Sequence, residues 1–289
     1  MMIEPLVGSH ISIAGGVHTA FARAESIGCT AFQIFTKSNR QWFEKKLSDE
    51  NIEQFKHAAA VSAITSVVVH TGYLINLGSG KMETAELSAR ALLDEIRRCE
   101  LLGLTDLVVH PGSHVGIGEE SSIKQIACNL DKVLEQSEGR VTIALELMAG
   151  QGTSVASSFE QLHKIRSLCS NKKLIAYCLD TCHACAAGYD MTTEDGYKKM
   201  IKSFDDVLGL EHLRVIHMND SKGKVGSRVD RHAALGTGVI PLDVFACIMN
   251  DRRLSHVPKI LETPSDAAMK LWACEIKLLK TMVGVTSHT

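Results

Sequence analysis

Ser66-Val67-Val68-Val69-His70 is an apolar run that ends on a single metal-type side chain, and five further segments end the same way. Leu107-Val108-Val109 leads to His110, Val141-Thr142-Ile143-Ala144-Leu145 to Glu146, and Ile175-Ala176-Tyr177-Cys178-Leu179 to Asp180. Leu213-Arg214-Val215-Ile216 leads to His217 and Lys259-Ile260-Leu261 to Glu262. Successive terminal residues lie 40, 36, 34, 37 and 45 positions apart. Such an interval holds one strand and one crossover helix, the repeat of a parallel βαβ unit. Two earlier runs, Leu6-Val7-Gly8-Ser9-His10 and Ala31-Phe32-Gln33-Ile34-Phe35, bring the strands to eight. The pattern predicts an α/β protein with a (β/α)8 TIM barrel. All strand C-termini would open on one face, carrying the active site, and the six side chains would meet there. A polar residue at the end of one buried strand usually marks only the chain leaving the core. Six in register, all His, Asp or Glu, point instead to a multinuclear zinc site.

The rest of the chain fits a barrel. Its 289 residues suffice for a fold that takes about 250. No low-complexity stretch or composition shift divides it, so residues 1–289 read as one domain. Leu87, Ala91, Leu92, Ile96 and Cys99 have the spacing of an outer amphipathic helix. Ser48-Asp49-Glu50 and Thr192-Thr193-Glu194 predict capped helix starts. No apolar run approaches the roughly 20 residues that span a bilayer, which argues against a membrane partner. Met1-Met2-Ile3-Glu4-Pro5 lacks the basic and apolar regions of a secretory leader. Nine cysteines without such a leader read as reduced thiols in a cytoplasmic, reducing setting. Cys128, Cys247 and Cys274 fall in apolar helical patterns and are expected to fill core space. Nothing in the sequence demands more than a monomer.

Three more candidate ligands follow the sixth and seventh runs. Asp180-Thr181-Cys182-His183 places a His within one helical turn of Asp180. In Asp230-Arg231-His232 the outer residues share one side of an extended chain and can grip one ion. Either motif alone is weak. Together they supply a third set, His183, Asp230 and His232. The candidates are then nine, too many for one zinc, which takes three or four protein ligands. Three ions with a bridging carboxylate such as Glu146 suit them better. Five imidazoles among nine donors favour zinc over oxygen-preferring metals. Of the other histidines, His10, His18 and His114 are placed to support ligands. His57, His163, His212, His256 and His288 read as surface or structural.

Several longer stretches carry a family resemblance. They are Phe35-Thr36-Lys37-Ser38-Asn39-Arg40-Gln41-Trp42, Tyr73-Leu74-Ile75-Asn76-Leu77-Gly78, His110-Pro111-Gly112-Ser113-His114, Asp180-Thr181-Cys182-His183-Ala184, His217-Met218-Asn219-Asp220-Ser221-Lys222 and Gly226-Ser227-Arg228-Val229-Asp230-Arg231-His232. The sequence resembles the endonuclease IV family of apurinic/apyrimidinic DNA endonucleases from end to end. The resemblance implies one zinc at His70, His110 and Glu146. A second would sit at Glu146, Asp180, His217 and Glu262, and a third at His183, Asp230 and His232, with Mn2+ an alternative at one position. Paired ions lower the pKa of a shared water and clamp the attacked phosphate. Glu146, as the bridge, and Glu262, orienting the nucleophile, are the implied catalytic carboxylates. The implied partner is double-stranded DNA with an abasic site or a blocked 3′ end. Cleavage 5′ to the abasic site would leave a 3′-hydroxyl and a 5′-deoxyribose phosphate. By resemblance, Arg40, Tyr73 and Leu74 insert at the lesion.

A formal charge of −2 is unusual for a nucleic-acid protein, but three Zn2+ would raise it to +4 where a phosphate must sit. Basic residues also cluster after the second and seventh strands: Lys37, Arg40, Lys45 and Lys46, then Lys222, Lys224, Arg228 and Arg231. Beside Trp42 on the strand-end face, they are expected to contact phosphates. Leu147, Ser38, Thr71-Gly72 and Thr237 depart from the family pattern without removing a ligand. Two other readings remain: a sugar isomerase or epimerase, which needs no third ligand set, and a non-catalytic abasic-DNA binder, which needs no complete metal shell. Cys182-x-x-Cys185 has thioredoxin-like spacing but interleaves with His183, so the spacing reads as accidental. Oxidising the pair should strain the segment holding Asp180 and His183 and lower activity reversibly. Full oxidation with unchanged activity would dismiss that expectation.

Overall fold

In a computed structural model, in which residues 4–284 are described, all eight apolar runs become parallel strands of one sheet. They are β1 (Val7–Ser9), β2 (Ala31–Ile34), β3 (Ser66–His70), β4 (Asp106–Val109), β5 (Thr142–Glu146), β6 (Ile175–Asp180) and β7 (Leu213–His217). After a hairpin of β8 (Asp220–Ser221) and β9 (His232–Ala233) comes β10 (Lys259–Leu261). The order is β1-β10-β7-β6-β5-β4-β3-β2. Helices α1 (Thr19–Ser26), α2 (Asp49–Val61), α3 (Met82–Leu102), α4 (Glu119–Leu134), α5 (Phe159–Leu168), α6 (Thr181–Ala187), α7 (Glu194–Leu208), α8 (Leu242–Asn250) and α9 (Lys270–Met282) complete it. β3, β5, β6 and β7 end on the expected residue, whereas β4 and β10 stop one residue short of His110 and Glu262. The predicted starts are capped: the Ser48 side chain accepts from Asn51 N–H and the Thr193 side chain from Gly196 N–H. Among the described residues no helix is long and apolar enough to cross a membrane.

The alternation of strand side chains creates two apolar layers. Ala31, Val68, Val108, Ala144, Cys178, Val215 and Ile260 pack against one another inside the barrel. Their neighbours Val69, Val109, Leu145, Leu179, Ile216 and Leu261 belong to the separate layer shared with the helices. Two residues beyond each inward residue, the chain again faces inward. That parity selects Gln33, His70, His110, Glu146, Asp180, His217 and Glu262, so the polar site is the layer directly above the apolar plug.

The barrel closes between β1 and β2. His10 and Gln33 form a parallel bridge there, Ile11 N–H donates to Gln33 O at 2.8 Å, and Thr30 N–H donates to Val7 O at 2.8 Å. Gly8 makes this approach feasible, because a Cβ on it would lie 1.7 Å from the Ala31 carbonyl oxygen.

The cysteines correct one expectation. Cys128 and Cys274 are exposed and Cys247 is half-buried. The buried stripe of α4 runs through Ile123, Ile126, Ala127 and Leu130, so Cys128 falls beside it rather than in it. Gly8→Ala should force the seam apart and cost about 1–3 kcal/mol, typical of overpacking. Denaturant unfolding would measure it; an unchanged midpoint would show that the seam is not tight.

Candidate metal centre

All nine predicted ligands converge at the C-terminal mouth of the barrel and form three sets of mutually close donor atoms. These are His70, His110 and Glu146; Glu146, Asp180, His217 and Glu262; and His183, Asp230 and His232. Glu146 stands between them with its two oxygens divided. Oε2 faces His70 Nε2 at 3.1 Å and His110 Nε2 at 3.2 Å. Oε1 faces His217 Nδ1 at 3.2 Å and His183 Nδ1 at 3.1 Å. Around His217 Nδ1 lie three carboxylates, with Glu262 Oε2 at 3.3 Å and Asp180 Oδ2 at 3.8 Å besides Glu146. One N–H cannot serve three acceptors, whereas a cation among them can.

Four imidazoles have one nitrogen tied to a neighbour, the arrangement that orients metal-binding histidines. His70 Nδ1 lies 2.8 Å from Thr71 O and His183 Nδ1 2.9 Å from Leu147 O. His232 Nδ1 lies 3.3 Å from Glu262 O, and His217 Nε2 lies 2.9 Å from Gln33 Oε1. Carbonyl oxygens only accept, so these nitrogens carry protons and the opposite nitrogens face the site, free to bind metal once deprotonated. His183 Nε2 and His232 Nε2 are buried there without any hydrogen-bond partner. Both sit 3.3–3.5 Å from Asp230 Oδ1. A nitrogen–carboxylate approach with no aligned hydrogen bond fits an ion between them.

The electrostatics agree. Burial would lift the Glu146 carboxyl, but His217, His110 and His183 hold it well below its usual range. Burial would depress the His183 and His217 imidazoles. Asp180, Asp230 and Glu146 outweigh it at His183, as do Cys178, Glu262 and Glu146 at His217, and both stand well above their usual value. Outer side chains fix the carboxylates. Asp180 Oδ1 accepts from His183 N–H at 2.8 Å, and Asn219 Nδ2 donates to Asp180 Oδ2 at 2.6 Å. Asn219 Oδ1 in turn accepts from Glu262 N–H at 2.8 Å.

Most predicted DNA-facing residues are exposed: Arg40, Lys222, Arg228 and Arg231, with Tyr73 at 66% and Leu74 at 38%. Lys37 is a correction. It is only 3% exposed, and its ammonium pairs with Glu95 Oε1 at 2.5 Å on α3. After β2 the chain turns over α3, which takes the lysine inward and away from solvent. Trp42 is half-buried against the helix layer. The Leu147 departure leaves the site untouched, because its side chain is buried in the helix layer and only its carbonyl meets His183. Among the supporting histidines, His10 lines the cavity, while His114 Nδ1 accepts from Gly116 N–H within its own loop. His18 stands at the N-cap position of α1, and its side chain makes no capping hydrogen bond. His57, His163 and His256 are exposed, His212 is half-buried, and His288 lies outside the described residues. Burial pushes the Cys182 and Cys185 thiols up to about 12 and about 11, which makes both poor nucleophiles.

Two contributors escaped sequence reasoning. Gln33 shares the inward parity of the ligands, two residues after Ala31, but is neither charged nor at a run's end. Trp272 of α9 walls the cavity and donates its Nε1–H to Thr263 O at 2.9 Å, and no local pattern marks it.

Imidazoles that hold protons near neutrality must shed them to bind metal. Zinc affinity should therefore rise with pH, about tenfold per unit for each proton displaced. Chelator competition at pH 6 and 8 would measure it, and a flat profile would remove the raised imidazoles from the site.

The chain matches the family model described as a xylose isomerase-like TIM barrel over residues 21–282. It is 41% identical to "Probable endonuclease 4" of Chloroflexus aggregans, over 98% of this chain and 99% of that protein. The crystal structure of endonuclease IV from Thermus thermophilus superposes with a TM-score of 0.85 at 35% identity, covering 96% of this chain and 98% of that one. A D-tagatose 3-epimerase-like protein superposes with a TM-score of 0.72 at 17% identity, covering 96% of both chains, a likeness of fold alone. The chain belongs to the endonuclease IV family of apurinic/apyrimidinic DNA endonucleases.

Proposed function

We propose that the chain is a zinc-dependent DNA repair endonuclease that binds three ions. It hydrolyses the phosphodiester 5′ to an abasic site, leaving a 3′-hydroxyl and a 5′-deoxyribose phosphate, and it trims blocked 3′ ends. The observation that carries this reading is the third donor set, in which two buried imidazole nitrogens lack any partner beside Asp230. A one- or two-ion sugar isomerase has no use for that set. Five imidazoles favour zinc. When bound, the ions supply Lewis acidity at the phosphate and activate water near neutral pH.

The chain's own residues supply the rest. Glu146 spans two donor sets, so it fixes the spacing of whatever they hold. Glu262 is the partly exposed carboxylate of the second set, with 19% of its side chain open, and can orient a water entering from the cavity. Tyr73 and Leu74 project beside the mouth and can occupy the space a lost base leaves. Arg40, Lys222, Arg228 and Arg231 can take flanking phosphates. Rotating out a nucleotide that already lacks its base costs little, which biases the site toward this lesion.

A duplex with one abasic-site analogue tests the proposal, with metal counted on the same protein. The expected result is a nick 5′ to the lesion and about three ions per chain. In His232→Ala the third ion should be lost and kcat/KM should fall by about 100-fold or more. A 3′-phosphoglycolate end should be trimmed by the same preparation. Fully metallated protein that binds the lesion without turnover would establish the non-catalytic binder. One or two tightly held ions without nicking would turn the search to small sugars.

A further inference from the structure

Gln33 lies at the seam where the barrel closes, and its amide meets side chains from three other segments. Its Oε1 is 2.9 Å from His217 Nε2. Its Nε2 is 2.7 Å from Glu262 Oε1 and 2.9 Å from His10 Nδ1. The residue is wholly buried, so the three contacts compete with no bulk water. Only one amide orientation satisfies them. Glu262 Oε1, 2.7 Å away, is a carboxylate acceptor, so the NH2 group must face it. The oxygen is then left for His217, whose Nε2 must bear the proton. His217 Nδ1 is thereby the nitrogen left to take a cation, 3.2 Å from Glu146 Oε1 and 3.3 Å from Glu262 Oε2. The second amide N–H meets His10 Nδ1.

We infer that Gln33 is a positioning residue of the paired-ion site. It selects Nδ1 as the His217 nitrogen that binds metal and sets the orientation of Glu262. The inference rests on the metal reading above. A neutral amide both donates and accepts, as these three contacts require. A carboxylate would face Glu262 with like charge, and an apolar group would strand the His217 Nε2–H in the interior. The amide's own place is set by barrel closure, because the Gln33 carbonyl accepts from Ile11 N–H at 2.8 Å across the β1–β2 seam. Ligand geometry and fold closure thus meet at one residue.

The test compares wild type with Gln33→Leu and Gln33→Glu. Zinc is titrated into chelator-stripped protein against a chromophoric competitor, ions per chain are counted, and the ring nitrogens of labelled His217 are read by 15N NMR. Thermal unfolding of each stripped variant confirms that it is folded. Wild type should bind three ions and, when loaded, show His217 protonated at Nε2. In Gln33→Leu, affinity at the paired sites should fall about 10–100-fold, while the His183, Asp230 and His232 set keeps its affinity. In the loaded variant the His217 Nε2 signal should shift, because its N–H has lost its acceptor. Gln33→Glu keeps the acceptor, so His217 should stay protonated at Nε2 while zinc affinity still falls. Unchanged paired-site affinity in a folded variant, or equal loss at all three sites, would overturn the role of Gln33. Fewer than three ions on wild type would overturn the metal reading itself. Should Gln33→Leu fail to fold, the Gln33→Glu titration decides.

Discussion

Glu146 is a carboxylate with no exposure, and everything above the apolar plug is arranged to make that tolerable. A lone buried carboxylate would cost several kcal/mol or simply take up a proton. Four imidazole nitrogens within 3.2 Å keep it ionised instead. The compensation is reciprocal, since the carboxylates keep His183 and His217 proton-loving. In the absence of metal, protons stand in for cations, and the cluster can form before ions bind. That also explains why the ligands need such firm outer support. Four carboxylates drawn this close would otherwise turn away from one another.

Rigid and adaptable parts are divided accordingly. Six of the nine ligands sit at strand ends, where ladder hydrogen bonds and the plug beneath leave little freedom. The exposed residues suited to DNA sit on connections instead, and those connections are anchored by buried charge. Lys37 pairs with Glu95, Thr36 Oγ1 donates to Glu95 Oε2 at 2.6 Å, and Arg98 donates to the carbonyls of Thr36 and Lys45. The segment carrying Arg40 is thus pinned near both ends to α3. A lysine that looks like a phosphate contact is part of what holds that segment in place.

The ligands were legible because two periodicities coincide. A strand's alternation fixes which way a terminal side chain points, and the repeat of about 40 residues fixes that the strands are parallel neighbours. What the sequence hid lay outside those rules. Lys37 has the composition of a surface loop, and only the position of Glu95, 58 residues later, takes it inward. Cys128 sits in an apolar stretch but off its buried stripe by one position. Gln33 obeys the parity rule, yet an amide draws no notice when the eye follows charge. The β8–β9 hairpin has two-residue strands, too short for any pattern.

That hairpin is where the function departs from the fold. The barrel alone hosts many chemistries, so likeness to sugar epimerases says nothing about the reaction. The third donor set belongs to none of the eight barrel strands. His183 stands on α6, in the turn that Asp180 caps, while Asp230 and His232 come from the hairpin. Asp220 holds the hairpin's base from the interior, accepting from Ser221, Gly238 and Ile240 N–H at 2.7–2.9 Å. Gly238 has to be glycine for this, since a Cβ there would lie 2.2 Å from Ser221 O. The same hairpin carries Lys222, Arg228 and Arg231 on its outer side. One insertion between β7 and β10 therefore carries two members of the third donor set below and a basic surface above.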